Sequence, residues 1–418
     1  MMAFHWFGGW IFPVAMTGVI VAGYWHPLLG GEREDVAKAE KKLKRIHDIL
    51  KKGYVEECDT EKLFDGAARG MLSSLDNHCQ YFDPAEMKEF EIDTEGHYGG
   101  IGVQVEFTGD GLEVVTAFEG TPAFKAGLVA GDRITDIDGH TTENMRSGEA
   151  AKFIRGEPGT IVKLTVTRKS NGKSELLPIA RAEIQLPSVK GTAIVDEKTK
   201  IGYVRLIQFQ EDSFDKLKEA IDGLLEKGMK ALVIDLRFDG GGLLIQAEKI
   251  ADLFLESGVI VETKGRLEES NSHVEAVKEG TYPNFPVAIL VNDGTASASE
   301  IVSGALQDHK RAVLVGSKTY GKGSVQQYLT QEFDDGSGFK YTIARYFTPN
   351  GRWIDRKAGK DYGLEPDIPV DLTPQETLDL MEHWRKQDAG DKDEKYQDKQ
   401  LDAALNALRA VLALGNGK

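Results

Sequence analysis

The chain is poor in cysteine and in basic side chains, and each shortage excludes a class of protein. Cys58 and Cys79 are the only cysteines among 418 residues, too few for a structural zinc site or a disulfide framework. The two cysteines could form one Cys58–Cys79 disulfide or remain two free thiols. The chain has 51 basic and 67 acidic residues, a net charge of −16. This balance argues against a nucleic-acid-binding surface, which needs a basic patch. With 41% hydrophobic residues, the composition is that of an ordinary globular protein of two or three domains.

Charge is also absent from the N-terminal segment, where Glu32 is the first charged residue. Residues 4–25 are mostly apolar and long enough to cross a bilayer, which takes about 20 residues. Tryptophan and tyrosine lie near both ends, as in membrane-spanning helices. A cleaved signal peptide is the alternative, although its basic first region is missing. We expect residues 1–30 to be a membrane anchor or a signal segment.

A serine follows an apolar run in the stretch 287-VAILVNDGTASASEIVSGALQD-308. The run predicts a strand covered on both faces, followed by a turn and a helix. Ser297 lies where the helix begins, and backbone N–H groups are unpaired there. The pattern fits a helix cap, and it also fits a nucleophile beside an oxyanion site.

A lysine lies between two glycines in the stretch 313-VLVGSKTYGKGSVQQYLT-330. Alternation places Lys322, Ser324 and Gln326 on one face. A lone lysine is usually a solvated charge, but a desolvated lysine can take the proton of a serine. That role requires its pKa to fall by roughly three units from about 10.4. Gln326 could hold the amine in line with the hydroxyl.

A glycine run follows a third buried strand in 231-ALVIDLRFDGGGLLIQAEKIADLF-254. Glycines 240–242 would let backbone N–H groups approach a substrate carbonyl closely. A simple strand-to-helix turn is the plainer interpretation. A phosphate-binding loop is disfavoured, because no Gly-Lys-Ser/Thr follows the run.

Together these stretches resemble the C-terminal processing peptidase family, serine peptidases that carry a PDZ domain. The resemblance runs from about Lys38 to about Asp371 and rests on VIDLRFDGGG, NDGTASASEI and VGSKTYGKGSVQQY. It implies that Ser297 is the nucleophile, that Lys322 is the base 25 residues further on, and that Gln326 supports the lysine.

The resemblance also implies the surroundings of this dyad. The oxyanion would bind the Ala298 N–H and a glycine N–H, from Gly241 or Gly242. Asp239-Gly240 stands where many members have Asn-Pro, so the glycine donor stays open. No metal or organic cofactor is implied. The supporting residues around the dyad would be Arg237, Glu300 and Thr319.

Residues 98–145 contain apolar strands, glycine turns and a short helix, and resemble the start of a PDZ domain. Such a domain binds a peptide's terminal carboxylate with backbone N–H groups, and the peptide extends its sheet. A small β domain whose glycines only make turns is the alternative. The residues at the expected carboxylate-binding loop are Tyr98, Gly99, Gly100, Ile101, Gly102 and Val103.

The later βαβα alternation predicts a mostly parallel sheet flanked by helices. With the resemblance, the expected fold is multidomain α+β or α/β, a crotonase-like protease core with an inserted PDZ domain and flanking helical regions. The expected parts are 1–30, the membrane or signal segment; 31–95, an N-terminal helical region; 96–182, the PDZ domain; 183–372, the Ser/Lys protease core; and 373–418, a C-terminal helical region.

The resemblance implies a serine endopeptidase of the cell envelope, with its body on the periplasmic side, and the N-terminal segment would hold it there. It would recognise protein C-termini and use no nucleic acid, with a homodimer and an activating adaptor protein as possible partners. A Ser-His-Asp triad through His273 or His309 is a rival mechanism. Two other classes stay open, a crotonase-like acyl-CoA enzyme and a catalytically idle PDZ adaptor.

Overall fold

The computed structural model describes residues 30–108, 111–143, 145, 147–330, 332–388 and 396–415. They fall into two units, residues up to Gly70 and residues Met71–Lys418. The predicted membrane or signal segment, apart from residue 30, lies outside the described residues. Within the described ranges, no helix combines the length and apolar character needed to cross a bilayer.

The first unit consists of α1 (Gly30–Gly53) and most of α2 (Thr60–Ser73). Asp59 caps α2, since its carboxylate accepts the Glu61 N–H at 3.0 Å. Both cysteines, Cys58 here and Cys79 in the second unit, are free thiols. The apolar stripe of α1 stays between 40% and 53% exposed at Val36, Leu43, Ile46 and Ile49.

The second unit begins with β1 (Gln80–Phe82) and α3 (Pro84–Glu95). Asp83 caps α3, as its place before a proline predicts. Its side chain accepts the Ala85 and Glu86 N–H groups, while Glu86 accepts the Asp83 N–H in return. The helix ends at Glu95.

A small antiparallel β unit follows. Its main sheet has the order β3-β4-β5-β7-β8 with β6 beside β5, and β2 pairs with β9. Alternating apolar residues such as Leu112, Val114, Val162 and Leu164 fill its core. Strand β3 is an edge strand, because in the described part of the chain it pairs with β4 alone. The elements are β2 (His97–Gly100), β3 (Val103–Phe107), β4 (Leu112–Ala117), α4 (Pro122–Lys125), β5 (Arg133–Ile137), β6 (His140–Thr141), α5 (Ser147–Ile154), β7 (Ile161–Thr167), β8 (Ser174–Ala180) and β9 (Ala182–Gln185).

The remaining chain forms a six-stranded sheet of order β10-β11-β12-β15-β16-β19. Only the β10–β11 pair is antiparallel, so the prediction of a mostly parallel sheet is confirmed. The elements are β10 (Val189–Asp196), β11 (Ile201–Leu206), α6 (Ser213–Glu226), β12 (Ala231–Asp235), α7 (Leu244–Asp252), β13 (Val259–Gly265), β14 (Ser272–Glu275), β15 (Val287–Val291), α8 (Ala298–Asp308), β16 (Ala312–Gly316), β17 (Ser324–Leu329), β18 (Gly338–Phe347), β19 (Ile368–Pro369), α9 (Pro374–Asp388) and α10 (Lys399–Gly415).

Both faces of this sheet are covered by helices, which explains its continuous apolar strands. On one face Leu232 and Ile289 pack in a core with α6, α7 and α8. On the other face Val233 and Leu290 pack against Leu405 and its neighbours in α10. Helix α10 therefore packs on the body of the protein.

A second sheet has the order β1-β18-β13-β14, with β17 also paired to β18. Strand β14 lies within the polar segment 264–286. Its residues 272–275 pair with β13 in the register Thr263↔Ser272. The β17–β18 hairpin carries the glycine-flanked lysine segment to the end of the parallel sheet.

Candidate active site

An open cleft of about 740 Å³ lies where the segments after β12, β15 and β16 meet. These three strands are parallel neighbours, so their carboxyl ends share one edge of the sheet, the usual place for a site in such folds. The cleft brings together the residues expected for catalysis from three separate stretches of sequence. They are Gly241, Gly242, Ser297, Ala298, Lys322 and Gln326.

Ser297 occupies the N-cap position of α8 with φ 58° and ψ −117°. Serine caps ordinarily have an extended backbone, whereas a positive φ is strained for a residue with a β-carbon. Such strain concentrates at functional sites, and a sharp strand-to-helix turn is the setting that exposes a nucleophilic serine in other hydrolases. The turn after β15 therefore suits a nucleophile better than a simple cap.

Glu300, fully buried in the first turn of α8, joins the two segments that carry Ser297 and Lys322. Its Oε2 accepts the N–H groups of Ser297 and Lys322, both at 2.9 Å. Its Oε1 accepts the Gly321 N–H at 2.7 Å and the Thr319 hydroxyl at 2.5 Å. Burial raises the pKa of Glu300, while these four donors oppose the rise. Glu300 and Thr319 thus support the dyad segments through hydrogen bonds.

Lys322 is desolvated in the cleft. Burial and, to a smaller extent, the like charge of Lys340 lower the pKa of its amine to about 8, against the opposing effects of Glu300 and Asp76. Within the described ranges its Nζ has neither a hydrogen bond nor an ion pair, and no hydrogen bond joins it to Ser297 Oγ. Gln326 does not hold the amine here, because its Nε2 donates instead to Ser324 Oγ at 2.9 Å and to Thr342 Oγ1 at 3.3 Å.

The glycine loop lies against the serine turn. Gly241 has φ +94°, and a β-carbon there would lie 2.7 Å from Ala296 O and 2.8 Å from Ala298 N, so only glycine fits. Its N–H donates to Asp239 Oδ1 at 2.8 Å and is not free for an oxyanion. The N–H groups of Gly240, Gly242 and Ala298 have no acceptor within the described part of the chain. They remain as candidate oxyanion donors.

Asp239 itself is a buried carboxyl at the base of this loop. Its second oxygen has no hydrogen-bond partner among the described residues, and burial raises the pKa of Asp239 to about 8. Its backbone carbonyl accepts the Ala296 N–H at 3.0 Å and the Ser299 hydroxyl at 3.1 Å. Asp239 therefore connects the glycine loop to both sides of the serine turn.

Arg237 lies away from the dyad. Its guanidinium is buried and pairs with Asp235 at 2.6 Å and Asp398 at 2.7 Å. It supports the chain just before the glycine loop, and it does not line the cleft. Arg237 can therefore support Ser297 and Lys322 only indirectly, through the chain that leads into the glycine loop.

The two histidines of the rival triad are also elsewhere. The exposed His273 pairs with Glu262 at 2.9 Å and Glu275 at 3.2 Å. His309 contacts the Val259 carbonyl at 2.7 Å through Nε2. Neither lines the cleft that holds Ser297, so the geometry does not favour a triad through either residue.

Sequence reasoning missed the segment Asp76–Cys79. The Asp76 carboxylate accepts the N–H groups of His78 at 2.8 Å and Cys79 at 3.1 Å. Its charge, like that of His78, interacts with Lys322. The only sequence signal was a polar turn between two helices, and nothing in it indicated this location. For metals, the described residues contain no cluster of three His, Cys, Asp or Glu side chains suited to an ion.

The expected carboxylate-binding loop is only partly a loop. Tyr98–Gly100 form strand β2 and pair with β9, in the register Tyr98↔Ile184. The N–H groups of Ile101 and Gly102 have no acceptor among the residues that the structure describes. They precede the edge strand β3, which begins at Val103 and has one side unpaired. The loop and the strand edge needed for binding a peptide terminus therefore lie side by side.

Comparisons with known protein families match three parts of the chain. Residues 200–370 match peptidase family S41, residues 99–178 match a PDZ domain, and residues 30–85 match the N-terminal domain of the activating protease CtpB. Among solved structures, the photosystem II D1 C-terminal processing protease is 29% identical, with a TM-score of 0.45, covering 78% of this chain and 86% of that one.

Curated relatives extend the similarity over most of the chain. A carboxy-terminal-processing protease of Bartonella bacilliformis is 39% identical over 338 residues, which are 79% of this chain and 75% of the relative. The carboxy-terminal processing protease CtpA of Bacillus subtilis is 34% identical over 351 residues, 84% of this chain and 73% of the relative. By sequence, fold and similarity, this chain belongs to the C-terminal processing peptidases of family S41, serine-type peptidases that carry a PDZ domain.

Proposed function

We propose that the chain cleaves proteins as a Ser-Lys endopeptidase, with Ser297 as nucleophile and Lys322 as base. The observation that carries this proposal is the amine of Lys322, which is buried in the same cleft as the strained turn of Ser297 and has a pKa lowered to about 8. An ordinary surface lysine stays protonated at neutral pH and cannot accept a proton. A desolvated lysine whose pKa is about 8 is neutral in a useful fraction of molecules at neutral pH.

In this mechanism the neutral Lys322 amine takes the proton of the Ser297 hydroxyl as the oxygen attacks the scissile carbonyl. The oxyanion accepts hydrogen bonds from the Ala298 N–H and from Gly240 or Gly242. The Lys322 ammonium then protonates the departing amine, and water releases the acyl-enzyme with the lysine again as base. Catalytic side chains of free enzymes often reach hydrogen-bonding distance only when substrate binds. The missing hydrogen bond between Lys322 Nζ and Ser297 Oγ is therefore compatible with this mechanism.

The PDZ domain would select the substrate. A peptide's terminal carboxylate would bind the N–H groups of Ile101 and Gly102, and the peptide would pair with the free edge of β3. Tyr98, Gly99 and Gly100 hold this loop through β9, and Val103 begins the edge. Capture at this site raises the local concentration of the neighbouring chain near the cleft.

The division of labour along the chain is part of the same proposal. Residues 96–182 would form the PDZ domain and 183–372 a crotonase-like protease core, with helical regions at 31–95 and 373–418. The match of residues 30–85 to the CtpB N-terminal domain supports activation by an adaptor protein, and the exposed apolar stripe of α1 supports a homodimer. Membership of the family supports a location in the cell envelope, outside the cytoplasm.

Two alanine variants test the dyad. Ser297→Ala and Lys322→Ala should each abolish hydrolysis of a denatured protein substrate, because one removes the nucleophile and the other the base. The matched control is Lys318→Ala, a lysine four residues earlier that pairs with Glu365 at 2.7 Å and should cleave within about twofold of wild type. Unfolding curves show whether each variant is folded. Full activity in folded Lys322→Ala would exclude this lysine as the base.

A further inference from the structure

A second lysine lines the cleft and has no assigned role. Lys340 lies in β18, opposite Tyr328 of β17 and Gln80 of β1. It borders the same cleft as Ser297 and Lys322. Within the described ranges its ammonium has no ion pair and no hydrogen bond. A cation is thus directed into the site without a protein counter-ion.

Two phenylalanines hold this side chain. The Lys340 Nζ lies 5.4 Å from the ring centre of Phe82 and 5.6 Å from that of Phe90, and the two rings stack at 4.9 Å. Cation–π contacts orient an ammonium group but leave its charge in place. Burial lowers the pKa of Lys340, so the protonated form is short of stabilising partners.

The cleft offers little negative charge to compensate. Besides Lys322 and Lys340, the charged side chain lining it is Asp93, whose pKa is raised by burial and by Glu89. No ion pair joins Asp93 to either lysine in the part of the chain that the structure describes. The lining therefore has two lysines against one carboxyl in a protein of net charge −16, and a bound carboxylate would supply Lys340 with an ion-pair partner.

The position of Lys340 connects it to the dyad. Thr342 is two residues further along β18 and points to the same face. Its Oγ1 accepts a hydrogen bond from Gln326 at 3.3 Å. The Lys340 charge is close enough to Lys322 to lower the pKa of that base. A substrate segment bound at Lys340 would thus lie next to the reacting atoms.

We propose that Lys340 binds a carboxylate of the substrate peptide within the catalytic cleft and so determines which peptide bonds are cleaved. This inference rests on the proposed endopeptidase function. The carboxylate has two possible sources, an Asp or Glu side chain near the scissile bond or the α-carboxylate of the substrate's own C-terminus. Both present the same chemistry to an ammonium group, a charge-assisted hydrogen bond.

The experiment compares matched peptides and matched variants of the full chain. One peptide series carries Asp or Asn at each position flanking the cleaved bond, and a second has a free or an amidated C-terminus. Each peptide is assayed with wild type, Lys340→Met and Lys340→Arg. The control is Lys264→Met, since Lys264 also lies over a phenylalanine ring, 4.9 Å from the centre of Phe347, but does not line the cleft.

For wild type we expect about a tenfold higher kcat/KM for the peptide bearing the preferred carboxylate. Lys340→Met should reduce the ratio between charged and neutral peptides to about one, Lys340→Arg should keep part of it, and Lys264→Met should keep all of it. The ratio cancels any general loss of activity caused by a change at Lys322. The series that shows the effect identifies the source of the carboxylate.

An unchanged ratio in folded Lys340→Met, or the absence of any preference in wild type, would overturn the proposal. Failure of the endopeptidase itself would look different, because wild type would then cleave no peptide of either series. In that case the same ratio is measured as binding of the peptides to Ser297→Ala with and without Lys340→Met. Equal affinities in both proteins would again count against Lys340.

Discussion

The carboxylate of Glu300 holds the backbone N–H of Lys322 at 2.9 Å. The same oxygen accepts the N–H of Ser297 at the same distance. One buried side chain therefore fixes the proposed base and nucleophile relative to each other, although they lie on different loops. Neither bond involves a reacting atom, so the effect of Glu300 on catalysis is positional.

Replacing Glu300 should disturb this alignment. Glu300→Ala leaves the N–H groups of Ser297, Gly321 and Lys322 without their acceptor, and misplacement by about 1 Å costs on the order of a hundredfold in rate. We expect kcat/KM to fall by about that factor, with about 1–3 kcal/mol lost in the free energy of unfolding. The matched control is Glu248→Gln, a half-buried glutamate on α7 whose loss should leave kcat/KM within about twofold. Unchanged activity in Glu300→Ala would contradict the positional role.

The pH dependence of cleavage should follow Lys322. Its pKa of about 8 lies below the usual value, so the amine becomes neutral as the pH rises through about 8. We expect kcat/KM to increase about tenfold per pH unit below that point and to level off above it. Lys340→Met removes a like charge and should move the midpoint to higher pH. Rates measured from about pH 6 to pH 10 test both; a profile that is flat, or that falls with rising pH, would argue against a lysine base.

Asp239 predicts a second pH effect, this time on stability. Its folded pKa of about 8 is raised above the unfolded value, so the folded state binds the proton more tightly. Its contribution to stability is full at low pH and is lost as the pH rises towards about 8. Asp239→Asn keeps an acceptor for the Gly241 N–H but cannot ionise.

We therefore expect Asp239→Asn to be more stable than wild type, with the gap growing by on the order of 2–4 kcal/mol between about pH 5 and pH 8. Activity should be retained, because the glycine loop keeps its hydrogen bond. Denaturant unfolding at the two pH values gives the difference directly. A gap that does not change with pH would mean that Asp239 is already ionised in the folded protein.

The pattern of apolar runs was enough to predict the strands and helices that form the cleft. Strands β12 and β15 are near-continuous apolar runs, and the turns that follow them carry Gly241 and Ser297, because strand ends and glycines are local features. The hydrogen bonds of Glu300 were beyond such reasoning, because they join residue 300 to residues 321 and 322 across the fold. The hydrogen bond from the Gly241 N–H to Asp239 could not be predicted from the sequence either, because it depends on a side-chain rotamer.

The surroundings of Lys340 could not be predicted from the sequence either. The sequence of residues 339–347 fits a strand, but every second residue of a strand faces the same way, and the pattern does not say what that face contacts. The contact with Phe82 requires β1, a three-residue strand too short to give a periodic signal. Pairing of β1 with β18 brings that ring to the lysine, and only the tertiary structure contains this pairing.

The buried charge cluster at Arg237 yields a last prediction, on stability. Arg237 and Asp235 have fully buried side chains, paired at 2.6 Å, and Tyr203 donates to Asp235 at 2.7 Å. Arg237→Met would leave the Asp235 carboxylate buried without its cation, which costs about 3–5 kcal/mol in similar clusters. Lys216→Met, which breaks an exposed pair with Glu219, should cost less than about 1 kcal/mol.

Since the cluster lies just before the glycine loop, kcat/KM of the Arg237→Met molecules that remain folded should fall as well. A loss below about 1 kcal/mol in Arg237→Met, measured by denaturant unfolding, would mean that water reaches Asp235 and that the cluster is not closed.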